Sequence, residues 1–275
     1  MICAWEQLLS ILPEWIAADA DKYGRNELQE IRLRVGGKPE LILINKEFWL
    51  DRTATEKDIN FVVNTASRYS PWAASSISSG YITAQGGHRI GICGDVVMKL
   101  GRMEGIRRVT SMCIRVARDY PGIGKTAATL SGNILIIGPP GFGKTTLLRD
   151  LIREVSKHDS SGVVDERGEL FPEGIPRGKR MDVLTGCTKA EGLDILLRTM
   201  GPRVIALDEI TSERDCDALI RAGWCGVRIF ATAHAATQKD LCSRSLYKAL
   251  LTSGIFDHLL ILNRDKSWHK ETLAA

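Results

Sequence analysis

Residues 134–146 read Ile-Leu-Ile-Ile-Gly-Pro-Pro-Gly-Phe-Gly-Lys-Thr-Thr, an apolar run that passes directly into a glycine-rich turn. Within it, Gly138-Pro139-Pro140-Gly141-Phe142-Gly143-Lys144-Thr145 satisfies the phosphate-binding pattern G-x-x-x-x-G-K-[ST], with Thr146 following. Glycines let the backbone curl so that successive N–H groups point at one centre, a nest for phosphate oxygens. Lys144 is placed to reach the β- and γ-phosphates, and the Thr145 hydroxyl to ligate Mg²⁺. A helix starting near Lys144 adds its positive dipole end. A plain glycine turn between strand and helix needs neither the lysine nor the hydroxyl. The stretch therefore predicts a buried strand, a P-loop and a nucleoside triphosphate, ATP with Mg²⁺, bound there.

The surrounding rhythm sets the architecture. From Asn133 onward, short apolar runs alternate with helical segments: Ile134–Ile137, Val163–Val164, Val204–Leu207, Ile229–Ala233 and Leu259–Leu262. Such alternation predicts a mostly parallel sheet with helices on both faces. Upstream the pattern differs. Apolar residues recur at helical spacing from Trp5 to about Ala20, with a break at Pro13. Ile31 to Val35 alternates apolar and charged residues, as an edge or half-exposed strand would, and Glu40 to Ile44 follows a Gly36-Gly37-Lys38-Pro39 turn. Thr55 to Ser67 reads as a helix. A small polar stretch, Ser75 to Gly80, precedes a hairpin made of Tyr81–Ala84 and His88–Cys93 around Gln85-Gly86-Gly87. Met112 to Val116 reads as a last strand. The expected class is α/β: an α+β N-terminal domain over residues 1–116, a linker over 117–132, and a RecA-like P-loop core over 133–275.

Composition excludes several classes. The 275-residue chain is 44% hydrophobic and 25% charged, that of an ordinary globular protein. Its formal net charge of +4 comes from interspersed charges, so neither nucleic acid nor an anionic surface is demanded. The seven cysteines are scattered without a C-x-x-C pair, which argues against a zinc site or a disulfide framework. The first residues include Glu6, Pro13 and Glu14 where a signal peptide would be basic and then apolar. No apolar run approaches a membrane span. The expectation is a cytoplasmic protein with no direct membrane insertion.

Hydrolysis needs more than a P-loop: a metal-organising acid and a base that positions water, at the ends of neighbouring strands. Val204-Ile205-Ala206-Leu207-Asp208-Glu209 supplies both, with Asp208 expected at the metal and Glu209 as the catalytic carboxylate. A second acidic cluster, Asp165-Glu166-Arg167-Gly168-Glu169, ends another strand and should face the same crevice. Thr232-Ala233-His234-Ala235 follows a third strand, where His234 could sense the γ-phosphate by hydrogen bond.

In order and spacing, P-loop, acidic box, Asp-Glu strand end and Thr-x-His-Ala together resemble the four boxes of the secretion ATPase superfamily, which includes type II and type IV secretion and pilus motors. Glu30-Ile31-Arg32-Leu33-Arg34 with Gly37-x-Pro39, and Gly86-Gly87-His88-Arg89-Ile90-Gly91, resemble their N-terminal strand-turn and arginine-bearing hairpin. Within the superfamily, Val164–Leu170 and Leu207–Ile210 look most like the stage III sporulation protein AA family. The chain departs from the superfamily pattern in carrying Asp208-Glu209 in place of Gly-Glu, and Asp165-Glu166-Arg167 in place of Glu-Asp-Pro. Carried over residue by residue, the resemblance implies Glu209 as catalytic carboxylate, and Glu166 is chosen as the box acid facing the nucleotide.

The resemblance further implies a homohexameric ring with nucleotide at subunit boundaries and arginines donated in trans, from among Arg89, Arg107, Arg108 and Arg115. It implies an integral membrane subunit as partner, which would keep the protein peripheral at the membrane, and a motor role at the channel between mother cell and forespore. The rival reading is a P-loop ATPase acting on single-stranded nucleic acid. It is disfavoured because the chain to Ala275 leaves no room for a nucleic-acid module and has no aromatic-rich basic groove signature. A small-molecule kinase and a GTPase are disfavoured too: the former by the Asp-Glu strand end and His234 box, the latter because Asn263-Arg264-Asp265-Lys266 has a base reader's residues in the wrong order.

Overall fold

The computed structural model describes residues 1–68, 80–99 and 101–273; the polar stretch at 75–79 lies outside them. The chain divides into two compact units, one made of Met1–Asp119 with Pro172–Ile175, the other of Tyr120–Phe171 with Pro176–Ala275.

The first unit is built on a six-stranded antiparallel sheet of order β3-β2-β1-β6-β5-β4. Its strands are β1 (Leu28–Arg34), β2 (Glu40–Leu43), β3 (Glu47–Trp49), β4 (Tyr81–Thr83), β5 (Arg89–Lys99) and β6 (Arg102–Arg115). Pro13 separates the helices Trp5–Ser10 and Glu14–Glu27, as the sequence requires. A third helix, Glu56–Ala66, starts at a capping box in which Thr55 and Asp58 satisfy each other's backbone N–H. Leu8, Ile16, Ile31, Leu33, Ile59, Ile90 and Ile114 form the buried centre of this unit.

Of the two alternatives for β1, edge or half-exposed, the structure shows the second: β1 lies inside the sheet between β2 and β6 with one face buried and the other open. Its alternating charges are accommodated because Arg32 pairs with Glu30 at 3.1 Å on the more open face while Ile31 and Leu33 are buried. β5 and β6 also run well past the predicted hairpin. Beyond Cys93 they continue as a two-stranded ribbon with three register irregularities, and those bulges interrupt the period-two signal.

His88 is fully buried beside the Gln85–Gly87 turn. Its Nε2 donates to the Ala4 carbonyl at 2.8 Å and its Nδ1 accepts from the Ala117 N–H at 3.1 Å. The segment Pro172–Ile175 completes this corner: the Glu173 carbonyl accepts from the Gly86 N–H at 3.0 Å.

The second unit carries a seven-stranded sheet of order β13-β12-β7-β11-β10-β8-β9. The strands are β7 (Ile134–Ile137), β8 (Ser161–Asp165), β9 (Met181–Thr185), β10 (Val204–Leu207), β11 (Arg228–Ala233), β12 (His258–Leu262) and β13 (Trp268–Thr272). Every pairing is parallel except that of β13 with β12. This is the α/β, RecA-like core. β7, β10 and the first four residues of β8 are fully apolar or small and buried, the pattern of strands covered on both faces. Parallel pairing has a direct consequence: the segments after β7, β8, β10 and β11 all emerge at one edge of the sheet.

The helix Lys144–Val155 follows the P-loop and buries Leu147, Leu148, Leu151 and Ile152. From its opposite side, buried Asp150 accepts from the Gly122 and Gly124 N–H groups at 2.8 and 2.7 Å. The segment read as a linker contains a short helix, Lys125–Ala128, with Ala127 buried. Among the described residues, no helix is long and apolar enough to cross a membrane.

Burial, together with the Arg118 charge, pushes the His88 pKa below its usual 6.5, against the opposing bond to Ala4. Because the folded value is depressed, the unfolded chain binds more protons just below pH 6.5, and stability is lost as pH falls through that window. The wild-type protein should lose up to about 1.4 kcal/mol per pH unit there relative to His88→Gln. Urea denaturation of both proteins between about pH 7.5 and pH 5 checks this, and identical slopes would contradict it.

Candidate active site

At the shared strand edge, the P-loop and the β10 end are joined by side-chain bonds. Gly143, at φ +99°, turns the chain into the helix that begins at Lys144. The Thr145 hydroxyl donates to Asp208 Oδ2 at 2.7 Å. The other Asp208 oxygen accepts from the Thr232 hydroxyl at 2.6 Å, and that hydroxyl accepts the Glu209 N–H at 2.7 Å. Glu209 is held at φ +45°, a left-handed conformation that a non-glycine residue keeps only when its surroundings impose it. Here the bonds of Thr232 to both neighbours, with the Ile210 N–H donating to the Thr232 carbonyl at 2.8 Å, impose it.

Lys144 is buried, and its ammonium meets the Gly138 carbonyl at 2.8 Å, the Pro139 carbonyl at 3.1 Å and His234 Nδ1 at 2.9 Å. Burial lowers its pKa, while the nearby Asp208 and Glu209 charges favour its protonated form. His234 Nε2 lies 2.9 Å from Glu209 Oε1. An ammonium can only donate, so Nδ1 accepts, and a neutral His234 with its proton on Nε2 then donates to Glu209. One tautomer satisfies both contacts. The structure thus brings together Lys144, Thr145, Asp208, Glu209 and His234, with His234 bridging the P-loop lysine and the carboxylate.

The acidic box divides its labour. Asp165 is buried, and its carboxylate accepts the N–H groups of Glu169, Leu170 and Phe171 at 2.8, 3.0 and 2.9 Å. Burial raises its pKa, and the Phe171 and Leu170 amides oppose that rise. Asp165 therefore shapes the loop. Glu166 lines a cleft with Asp165, Arg167, Glu169, Asp208, Glu209 and Thr211, and is paired with Lys189. Buried Arg149, from the P-loop helix, donates to the Leu170 carbonyl and, at 2.8 Å, to the Glu169 carbonyl. Sequence reading gave no role to Arg149, Lys189 or the Thr232 hydroxyl. The last had a signal in its place two residues before His234 at a strand end, and Lys189 had one in the Thr188-x-x-Glu191 capping pattern beside it.

The four candidate arginines all belong to the first unit. Arg89 stacks over the Tyr81 ring at 4.8 Å, Arg108 lies 3.6 Å from Glu56 and 3.9 Å from Asp95, and Arg115 lies 3.4 Å from Glu30. Arg107 is exposed on β6.

Comparison with known proteins places this arrangement in a family. The model of the family "Sporulation stage III, protein AA" matches residues 6–271. The chain belongs to the sporulation stage III protein AA family. It is 38% identical over 257 residues to the stage III sporulation protein AA of Bacillus subtilis (strain 168), covering 87% of this chain and 84% of that one. This family member shares its fold with a pilus retraction motor and an ATPase of known structure. The pilus retraction motor PilT, solved with bound ADP, superposes with a TM-score of 0.63 at 15% identity, over 95% of this chain and 78% of its own. The Legionella pneumophila ATPase DotB superposes with a TM-score of 0.58 at 16% identity, over 94% of this chain and 78% of its own.

The bonding of His234 fixes an observable. Long-range proton–nitrogen NMR correlations of the imidazoles should show the Nε2–H tautomer for His234, identified by comparison with His234→Gln. A proton on Nδ1 would break the proposed link between Lys144 and Glu209.

Proposed function

We propose that the chain is a Mg²⁺-dependent ATPase that hydrolyses ATP to ADP and phosphate. The observation that carries this reading is the bonded path from the P-loop to the base: Thr145 to Asp208, Asp208 to Thr232, Thr232 to Glu209. P-loop backbone N–H groups receive the phosphates, and Lys144 reaches the β- and γ-phosphate oxygens. Three ammonium protons already meet three acceptors, so Lys144 exchanges at least one of these for phosphate. The Thr145 hydroxyl and Asp208 carboxylate are hard oxygen donors 2.7 Å apart, and such a pair suits Mg²⁺, which takes one or two protein ligands and fills its shell with water and phosphate. When bound, Mg²⁺ neutralises charge on the β- and γ-phosphate oxygens. Glu209, oriented by His234, accepts a proton from the attacking water as its oxygen bonds to the γ-phosphorus and the bond to the ADP oxygen breaks.

This ATPase works as a homohexameric ring. One of Arg89, Arg107, Arg108 and Arg115 completes each site from a neighbouring subunit, a contribution of about 10³ to 10⁵ in rate for comparable arginines. The ring drives a secretion-like complex of spore formation, the channel between mother cell and forespore, through an integral membrane subunit. The protein acts from the cytoplasm, peripheral at the membrane. Membership of the sporulation stage III protein AA family and the secretion-ATPase fold support this reading.

Lys144→Ala should bind no ATP measurably. Glu209→Gln should bind it within about threefold of wild type and release phosphate at least roughly 10²-fold more slowly. The same Glu209→Gln protein, sized by light scattering with ATP and Mg²⁺, should run as a hexamer. Undiminished phosphate release by Glu209→Gln removes Glu209 from the chemistry, and a monomer at high protein concentration removes the ring.

A further inference from the structure

Lys189 is a buried lysine for which the reaction above has no use. It is the first residue of the helix Lys189–Thr199, whose N-terminus is closed by a capping box between Thr188 and Glu191. A cation is misplaced there on two counts. The helix N-terminus is its positive end, which disfavours a nearby ammonium. Its side chain is also only 7% exposed, and a buried charge persists only when paired.

The partner is Glu166, whose carboxylate accepts from the Lys189 ammonium. Glu166 is 35% exposed and lines the cleft shared with Asp208 and Glu209. The carboxyl groups of Asp165, Glu166, Glu169, Asp208 and Glu209 converge on that cleft, and Lys189 is the buried cation among its lining residues. Without it, a flexible glutamate beside two strand-end carboxylates would swing away from them into water, because like charges repel.

The helix does not depend on this ion pair for its position. Gly192, in the turn after Lys189, rests against β8 so closely that a Cβ there would fall 2.5 Å from Val164 Cγ1. Leu193 and Leu196 are buried in the core of the second unit. Apolar packing thus fixes the helix start, and the ammonium is delivered to Glu166 from a rigid support.

We propose that Lys189 is a positioning residue of the ATPase reaction: it holds Glu166 fixed in the cleft as a second carboxylate that orders water beside Glu209. The inference rests on the ATPase reading and names a residue that reading lacks. Because the two side chains act as one unit, losing either should have the effect of losing both.

The test is a double-mutant cycle on steady-state ATP hydrolysis by the full chain, using Lys189→Gln, Glu166→Gln and the two together. Each single variant should lower kcat by roughly 10- to 100-fold with KM within about threefold, and the double variant should be no slower than either. Lys189→Arg, which keeps the charge, should retain most of the rate. A structural role for Lys189 would instead give a lowered melting temperature, losses that add in the double variant, and no rescue by arginine. Either that pattern or a Lys189→Gln rate equal to wild type overturns the proposal. Wild-type phosphate release that is lost in Lys144→Ala establishes the ATPase reading independently, so a failure of Lys189 alone is distinguishable from a failure of the reading.

Discussion

The Thr232 hydroxyl is the single group on which the site depends. It lies fully buried at the penultimate position of β11, and both of its hydrogen-bonding capacities are used across to β10: it donates to Asp208 and accepts from the Glu209 N–H. A buried hydroxyl without partners is costly, as is a buried amide. Here each satisfies the other. The register of β10 against β11, with Leu207 opposite Ala231, brings Thr232 just beyond the last paired residues, where the chain of β10 turns. That turn needs the positive φ of Glu209, which the hydroxyl stabilises by holding the residues on both sides of the Asp208–Glu209 peptide. Because the second Asp208 oxygen takes the Thr145 hydroxyl, the P-loop helix is tied to the same point.

Electrostatics then distributes charge along one edge of a sheet whose central strands are apolar. Buried strands carry no charge of their own until their ends, so ionised groups concentrate where the parallel strands stop. Carboxylates dominate that edge, and two buried lysines answer them. Burial lowers the pKa of Lys144, and the Asp208 and Glu209 charges oppose that fall. Lys189 stands against Glu166 just beyond the end of β8, a strand that β10 and β11 separate from the P-loop strand β7 in the sheet. The acidic-box loop between them is shaped by Asp165, which gathers three backbone amides, and by Arg149, which takes two carbonyls of the same loop. The P-loop helix therefore touches the box through Arg149 and the β10 end through Thr145.

Much of this was legible in sequence because buried parallel strands are continuous apolar runs. Ile134–Ile137 and Val204–Leu207 need no context to be read as strands, and chemistry follows where each run ends. Three of the four edge strands gave no such signal. β9 (Met-Asp-Val-Leu-Thr) and β13 (Trp-His-Lys-Glu-Thr) are half-exposed and polar, and β3 is three residues long. The alternating charges of β1 fit an edge strand and a half-exposed one alike, and the pairing of Arg32 with Glu30 lets it sit inside the sheet as the latter. Lys189 and Arg149 were invisible for a different reason: their partners lie 23 and 20 or 21 residues away, and no local pattern encodes such a pairing. The Thr188-x-x-Glu191 capping box does mark the helix start that delivers Lys189, and it is the one signal that could have singled that lysine out.

The central claim is that the P-loop and the strand-end carboxylates form one site through the Thr232 hydroxyl. Thr232→Val keeps the shape and removes the hydroxyl, while Thr232→Ser keeps the hydroxyl. Measured side by side for ATP affinity and phosphate release, Thr232→Val should bind ATP within about threefold of wild type and turn over roughly 10²-fold more slowly, with Thr232→Ser near wild type. Phosphate release by Thr232→Val at the wild-type rate would contradict the account.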